Sequence, residues 1–201
     1  MIYDYADKAI KDMNRRNLRA FDKLKLLKFD ELNVLRMVNR TYEESVRTAR
    51  KRFLSIYLEA YLAAMEETGR KKPEPDDSIM DDWLLDMLED YDIVTHYRFN
   101  EETERKKART AEALVATKVD AREVERALRL WTLQVSTYAD RSVHDGRMQA
   151  FKDAGVRKVR WCTEEDNRVC GDCNELEGKV FDLDKVPPRQ HYGCRCYLIP
   201  V

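Results

Sequence analysis

Apolar residues recur every three or four positions along most of this chain, and the rhythm changes only after Gly155. Between about Asp4 and Lys28, Ile10, Met13, Leu18, Phe21, Leu24 and Leu27 fall among charged residues at that spacing, which predicts an amphipathic helix. A longer helix is predicted from near Asp30 to Glu67, with Leu35, Tyr42, Ala49, Phe53, Tyr57, Ala60 and Ala64 as its apolar stripe. Gly69 and the Pro73 and Pro75 pair end it, because proline can neither donate the next hydrogen bond nor fit against the preceding turn. Ser78 followed by Asp81 has the form of a capping box and predicts a short helix from Ile79 to about Asp90, with Trp83, Leu84, Met87 and Leu88 as core. A charged helix is expected from about Val94 to Thr117, carrying His96. Asp120 with Glu123 forms a further N-cap pair. After it, Val124, Leu128, Trp131, Val135, Tyr138 and Ser142 alternate four- and three-residue steps, the period of shallow helix-on-helix packing. This last helix should end near Ala154-Gly155, where glycine suits a left-handed cap.

Beyond Gly155 the pattern turns to alternation. Val156 to Cys162, Gly178 to Leu183 and Cys196 to Ile199 are rich in strand formers and read as three short strands. The expected fold is α+β but mainly α: a long helical region, bundle or stalk, over residues 1–154, then a small β-rich, zinc-stapled module over 155–201.

Composition narrows the choices. Of the 201 residues 37% are charged, more than a typical globular chain carries, which fits long helices with solvated faces. The net charge of −1 gives no bulk drive towards nucleic acid or membranes, although the basic residues between Lys8 and Lys28 leave a local contact with DNA or an acidic partner open. No apolar run approaches the roughly 20 residues of a membrane span, and Met1-Ile-Tyr-Asp-Tyr does not open a signal peptide.

The candidate chemistry lies in the tail. Cys170 and Cys173 have the two-residue spacing that lets two thiolates reach one ion, with Gly171 easing the turn; His191 and Cys194 repeat the spacing across a loop, and Cys196 competes with Cys194 for a fourth place. A module this small rarely holds its shape by burial alone, and a structural Zn²⁺ would turn its binding free energy into folding free energy. A closed ligand set points to a structural ion. Disulfide or redox pairs are the competing use of these cysteines, and without a leader the chain is expected to keep its thiols reduced. Cys162 is expected to be a buried free thiol. His96 and His144 are expected on helices as packed or solvated residues, and Asp166 as a turn residue.

The run Trp161-Cys-Thr163-Glu-Glu-Asp166, the Cys170-Gly-Asp-Cys173 pair, Leu176-Glu-Gly178-Lys-Val180-Phe181 and the closing Pro187-Pro188, His191 and Cys194-Arg195-Cys196 together resemble the C-terminal domain of phage head-morphogenesis proteins, the Mu F-like minor capsid proteins. The likeness covers roughly residues 135–200. It departs from the family pattern at Tyr192-Gly193 after His191 and at Arg141-Ser142-Val143, where relatives carry a carboxylate. The resemblance implies a non-enzymatic minor head protein that acts in procapsid assembly at the portal vertex and bears on DNA packaging or ejection. It implies portal, scaffold or major capsid protein as partners, with DNA a further possibility, and residence inside the head of the virion and in the host cytoplasm during assembly.

Two other functions compete. A zinc-dependent nucleic-acid-binding module would use Arg157, Lys158, Arg160, Arg168, Arg189 and Arg195 as phosphate contacts. A nuclease would need an open metal position and His144 as base. Under the docking function, Trp161, Tyr192 and Tyr197 are candidate aromatic anchors, with core packing as their ordinary alternative.

Overall fold

Long helices arise here because each stripe of apolar residues finds a partner stripe. The computed structural model describes residues 3–25, 31–70, 76–92, 96–115, 121–164, 169–191 and 193–201. The order is α1 (Asp4–Lys25), α2 (Glu31–Glu67), α3 (Asp77–Glu89), α4 (Phe99–Val115), α5 (Ala121–Asp153), β1 (Lys158–Cys162), α6 (Gly171–Leu176), β2 (Val180–Asp182), a single 3₁₀ turn (Leu183–Lys185) and β3 (Tyr197–Pro200). The mainly helical class with a small sheet is as expected, and α6 is an addition. Among the described residues no helix is long and apolar enough to cross a membrane.

The long α2 and α5 form the spine. Gly146 on α5 lies against Tyr57 on α2 so closely that a Cβ there would run into the Tyr57 carbonyl oxygen. Around this contact Phe53, Phe99 and Tyr138 pack ring against ring, with Phe99 and Tyr138 centroids 4.9 Å apart. Trp131 is buried beside Tyr42, whose hydroxyl shares a 2.8 Å hydrogen bond with the Thr110 hydroxyl on α4. These residues belong to a core assembled from α1 to α5.

Several local expectations are corrected. The cap of α3 is Asp76, not Ser78: its carboxylate accepts from the Ser78 backbone N–H at 2.9 Å, so the helix starts earlier. α4 starts at Phe99, because Asp92 and Tyr97 form an isolated antiparallel bridge ahead of it. His96 therefore stands in a turn at φ +60, not on a helix. On α1 the buried face runs through Ala6, Ala9, Met13 and Asn17, while Leu18 is exposed; on α2, Leu35 is exposed and the rest of the expected stripe is buried. Asp120 and Pro73 with Pro75 lie outside the described residues, as do the side chains of Phe21, Leu24, Val124 and Leu128.

α5 ends in a glycine-centred cap. Gly155, at φ +64, donates to the Lys152 carbonyl, and Val156 donates to that of Phe151, satisfying carbonyls that the helix leaves open. The chain then enters β1, the middle strand of an antiparallel sheet of order β2-β1-β3. Val159 pairs with Phe181 on one side and Trp161 with Leu198 on the other. A second core joins the two structural types: Tyr61, Ala64 and Met65 of α2 and Ala150, Phe151 and Ala154 around the end of α5 pack with Val159, Trp161, Leu198 and three cysteines.

Candidate metal centre

Cys170 caps α6, its sulfur accepting from the Cys173 backbone N–H at 3.3 Å. Cys173 is thereby turned inward and is fully buried. On the other side, the chain reverses between His191 and Cys194, with the Cys194 N–H on the His191 carbonyl and Gly193 at φ +67. That reversal needs a left-handed residue, which glycine supplies without steric cost. Cys194 and Cys196 then point inward as β3 begins.

Two overlapping triads result. The ligating atoms of Cys170, Cys173 and His191 all lie within 4.8 Å of one another, and so do those of Cys173, Cys194 and Cys196. All five cysteines are free thiols, and the Cys173 and Cys194 sulfurs are 3.7 Å apart. Two sulfurs each about 2.3 Å from one tetrahedral ion stand about 3.8 Å apart, so the spacing fits a shared ion and excludes an S–S bond between this pair. The cluster can therefore bind a metal ion. The thiols are unequal: the hydrogen bond from Cys196 pulls Cys194 down to about 5, burial pushes Cys173 up to about 12, and Cys196 is raised by its bond to Cys194 and by burial.

Cys162 does not join the cluster, and it is half-exposed rather than buried. Trp161 is 1% exposed, which corrects its role as an anchor: it is core. Tyr197 is half-buried, and Tyr192, Asp166 and Arg168 lie outside the described residues. His144 is a packed helix residue whose Nδ1 faces Asp145 at 3.4 Å, and it is not among the donors that gather at the cysteines.

Three arginines seat this centre on the helices: Arg147, which the sequence pattern did not single out, and Arg189 and Arg195, which it offered as phosphate contacts. Arg147 of α5, 1% exposed, holds both Glu67 oxygens at the end of α2 and the Leu198 carbonyl of β3. Arg189 donates to the Thr137 carbonyl at 2.9 Å and to Asp92 at 3.0 Å. Arg195 pairs with Asp7 at 3.4 Å and lies over the Tyr3 ring, whose hydroxyl donates to the Cys196 carbonyl at 2.8 Å. Asp140 is buried in the same seam; desolvation raises its carboxyl to about 7 although Arg189 and Arg195 pull the other way. Two of the arginines proposed as phosphate contacts, Arg189 and Arg195, are thus engaged inside, while Arg157, Lys158 and Arg160 are exposed.

Residues 96–199, just over half of the chain, match the sequence profile of a family described as Phage Mu protein F like protein. The matched stretch takes in α4, α5 and the whole metal centre. No curated protein and no solved structure matches the chain.

Proposed function

The chain belongs to the Phage Mu protein F like family, and on that premise we propose that it is a minor head protein that docks at the portal vertex during procapsid assembly and assists DNA packaging or ejection. Membership makes it a phage head-morphogenesis protein whose partners are other head components. The finer proposal takes the portal protein as direct partner, beside scaffold or major capsid protein, and the head interior as its place in the virion.

The observation that carries this proposal is the span of the family match. It joins two bundle helices to the cysteine-rich tail, and within that span Arg147 holds the Leu198 carbonyl and Arg189 the Thr137 carbonyl. A rigid body docks without the ordering cost that a mobile tail would incur on binding. The donor chemistry suits a structural Zn²⁺: Cys170, Cys173 and His191 would give three donors, and Cys194 or Cys196, from the triad that shares Cys173, would give the fourth. A bound ion would supply coordination bonds whose free energy adds to that of folding. Four protein donors fill a tetrahedral shell, which supports a non-catalytic role.

The test combines elemental analysis with capture on immobilised portal protein. The wild-type chain should carry one zinc and be retained through high salt, and the Cys170→Ser, Cys173→Ser double variant should lose both. Absence of portal capture by zinc-loaded wild type, or undiminished capture by the metal-free variant, would sink this function.

A further inference from the structure

The helices carry a cluster of cations away from the tail. On α2, Arg47, Thr48, Lys51, Arg52 and Ser55 follow one another along a single face, and Arg16 of α1 stands across from them. Together these six residues line a recess of about 580 Å³, with no acidic and no hydrophobic residue among them. Arg47 and Lys51 also border a second recess of about 580 Å³ of mixed charge, lined by Arg50 and Glu43 of α2 and by Lys107 and Glu104 of α4, so the two form a cationic ridge between hollows.

The cations of this ridge share one recess. Other cations are matched within a helical turn, such as Arg40 with Glu44 at 2.9 Å, Lys106 and Arg105 with Glu102 at 2.9 Å each, and Lys107 with Glu104. Arg16, Arg47 and Lys51 are exposed and have no ion pair among the described residues. Arg52 makes only a 3.8 Å contact to Asp12, and one polar nitrogen of Arg50 is buried without a partner. Like charges gathered on one face repel one another, so an arrangement of this kind is stabilised when an anion arrives.

We infer that this ridge of α1 and α2 binds the phosphodiester backbone of nucleic acid. From Arg47 to Ser55 α2 rises roughly 12 Å, a distance over which one strand of a duplex presents about three or four phosphates. The ridge offers no large exposed hydrophobic side chain, the usual anchor of a protein partner. α3 carries Asp77, Asp81, Asp82, Asp86 and Glu89 with no cation, so the field of the molecule is two-signed and turns the α2 ridge towards a polyanion. Phosphate contacts alone give binding without sequence preference. This inference is independent of portal docking, because the ridge lies on the helices and its readout is DNA affinity.

The experiment measures binding of a short random-sequence DNA duplex to the metal-loaded full chain between about 50 and 200 mM salt. Four phosphate contacts predict a log–log slope of about −3 to −4. The Arg16→Gln, Arg47→Gln, Lys51→Gln triple variant should flatten that slope by about two to three and weaken binding at least about tenfold at the lowest salt, with an unchanged melting temperature because all three side chains are exposed. The Arg157→Gln, Lys158→Gln, Arg160→Gln variant should bind as the wild type does. No binding at low salt, an unchanged slope in the ridge variant, or loss of binding in the strand variant overturns the inference. A poly-glutamate peptide that binds as tightly as the duplex at equal charge also overturns it, and assigns the ridge to an acidic protein segment.

Discussion

Arg147 shows how much one side chain decides here. Its guanidinium joins the ends of α2 and α5 to β3 through Glu67 and the Leu198 carbonyl. A planar group with five donors can serve a carboxylate and a carbonyl at once, which lysine cannot. Replacing it by methionine keeps most of the buried volume and leaves the Leu198 carbonyl unpaired. The Arg147→Met variant should lose about 2–3 kcal/mol in denaturant unfolding, the upper range being reduced because Glu67 is partly solvated. A loss below about 0.5 kcal/mol would mean the contact is decorative. The cysteines could be picked out of the sequence because their spacing reports their chemistry. Arg147 and Asp140 could not, because an arginine or aspartate on a helix looks the same whether it meets water or a buried carbonyl.

At the scale of elements, the main helices were legible because their stripes repeat over many turns, and the three strands because alternation replaces that period. Their ends were less so. The α3 cap fell to Asp76 rather than Ser78 because both can accept from a helical N–H, and the fold selects the residue with extended backbone. α4 begins late because the Asp92–Tyr97 bridge uses the preceding residues. The α2–α5 contact also hides in the sequence, since a mid-helix glycine reads as a weak helix former. The structure makes Gly146 a point of close backbone approach. Gly146→Ala should therefore destabilise by about 1–3 kcal/mol, against the gain of up to about 1 kcal/mol that propensity alone predicts. A thermal melt decides by sign, since a higher melting temperature would mean that the two helices leave room for a Cβ at this position.

On the scale of the whole molecule, the tail both carries the candidate metal cluster and forms part of the second core. Chelation of the reduced protein, or Cys173→Ser, should disorder the sheet and raise the exposure of Trp161, read as a red shift of its fluorescence. Most helical circular dichroism should remain, because the first core from α1 to α5 does not include the cysteines. An unmoved fluorescence under strong chelation would remove the metal from the account. The family match begins at residue 96, well before the cysteine motifs, which agrees with a unit that includes the helices beneath the tail. By itself the sequence determined the helical rhythm, the change to strands after Gly155, the five candidate ligands and the family likeness, since each is a matter of local spacing along one chain. Only the tertiary structure decided that Trp161 is core, that Arg189 and Arg195 face inward, and that unpaired cations from α1 and α2 share one ridge. Those outcomes depend on which side chains from distant segments meet away from water, and desolvation acts on that meeting, not on order along the chain.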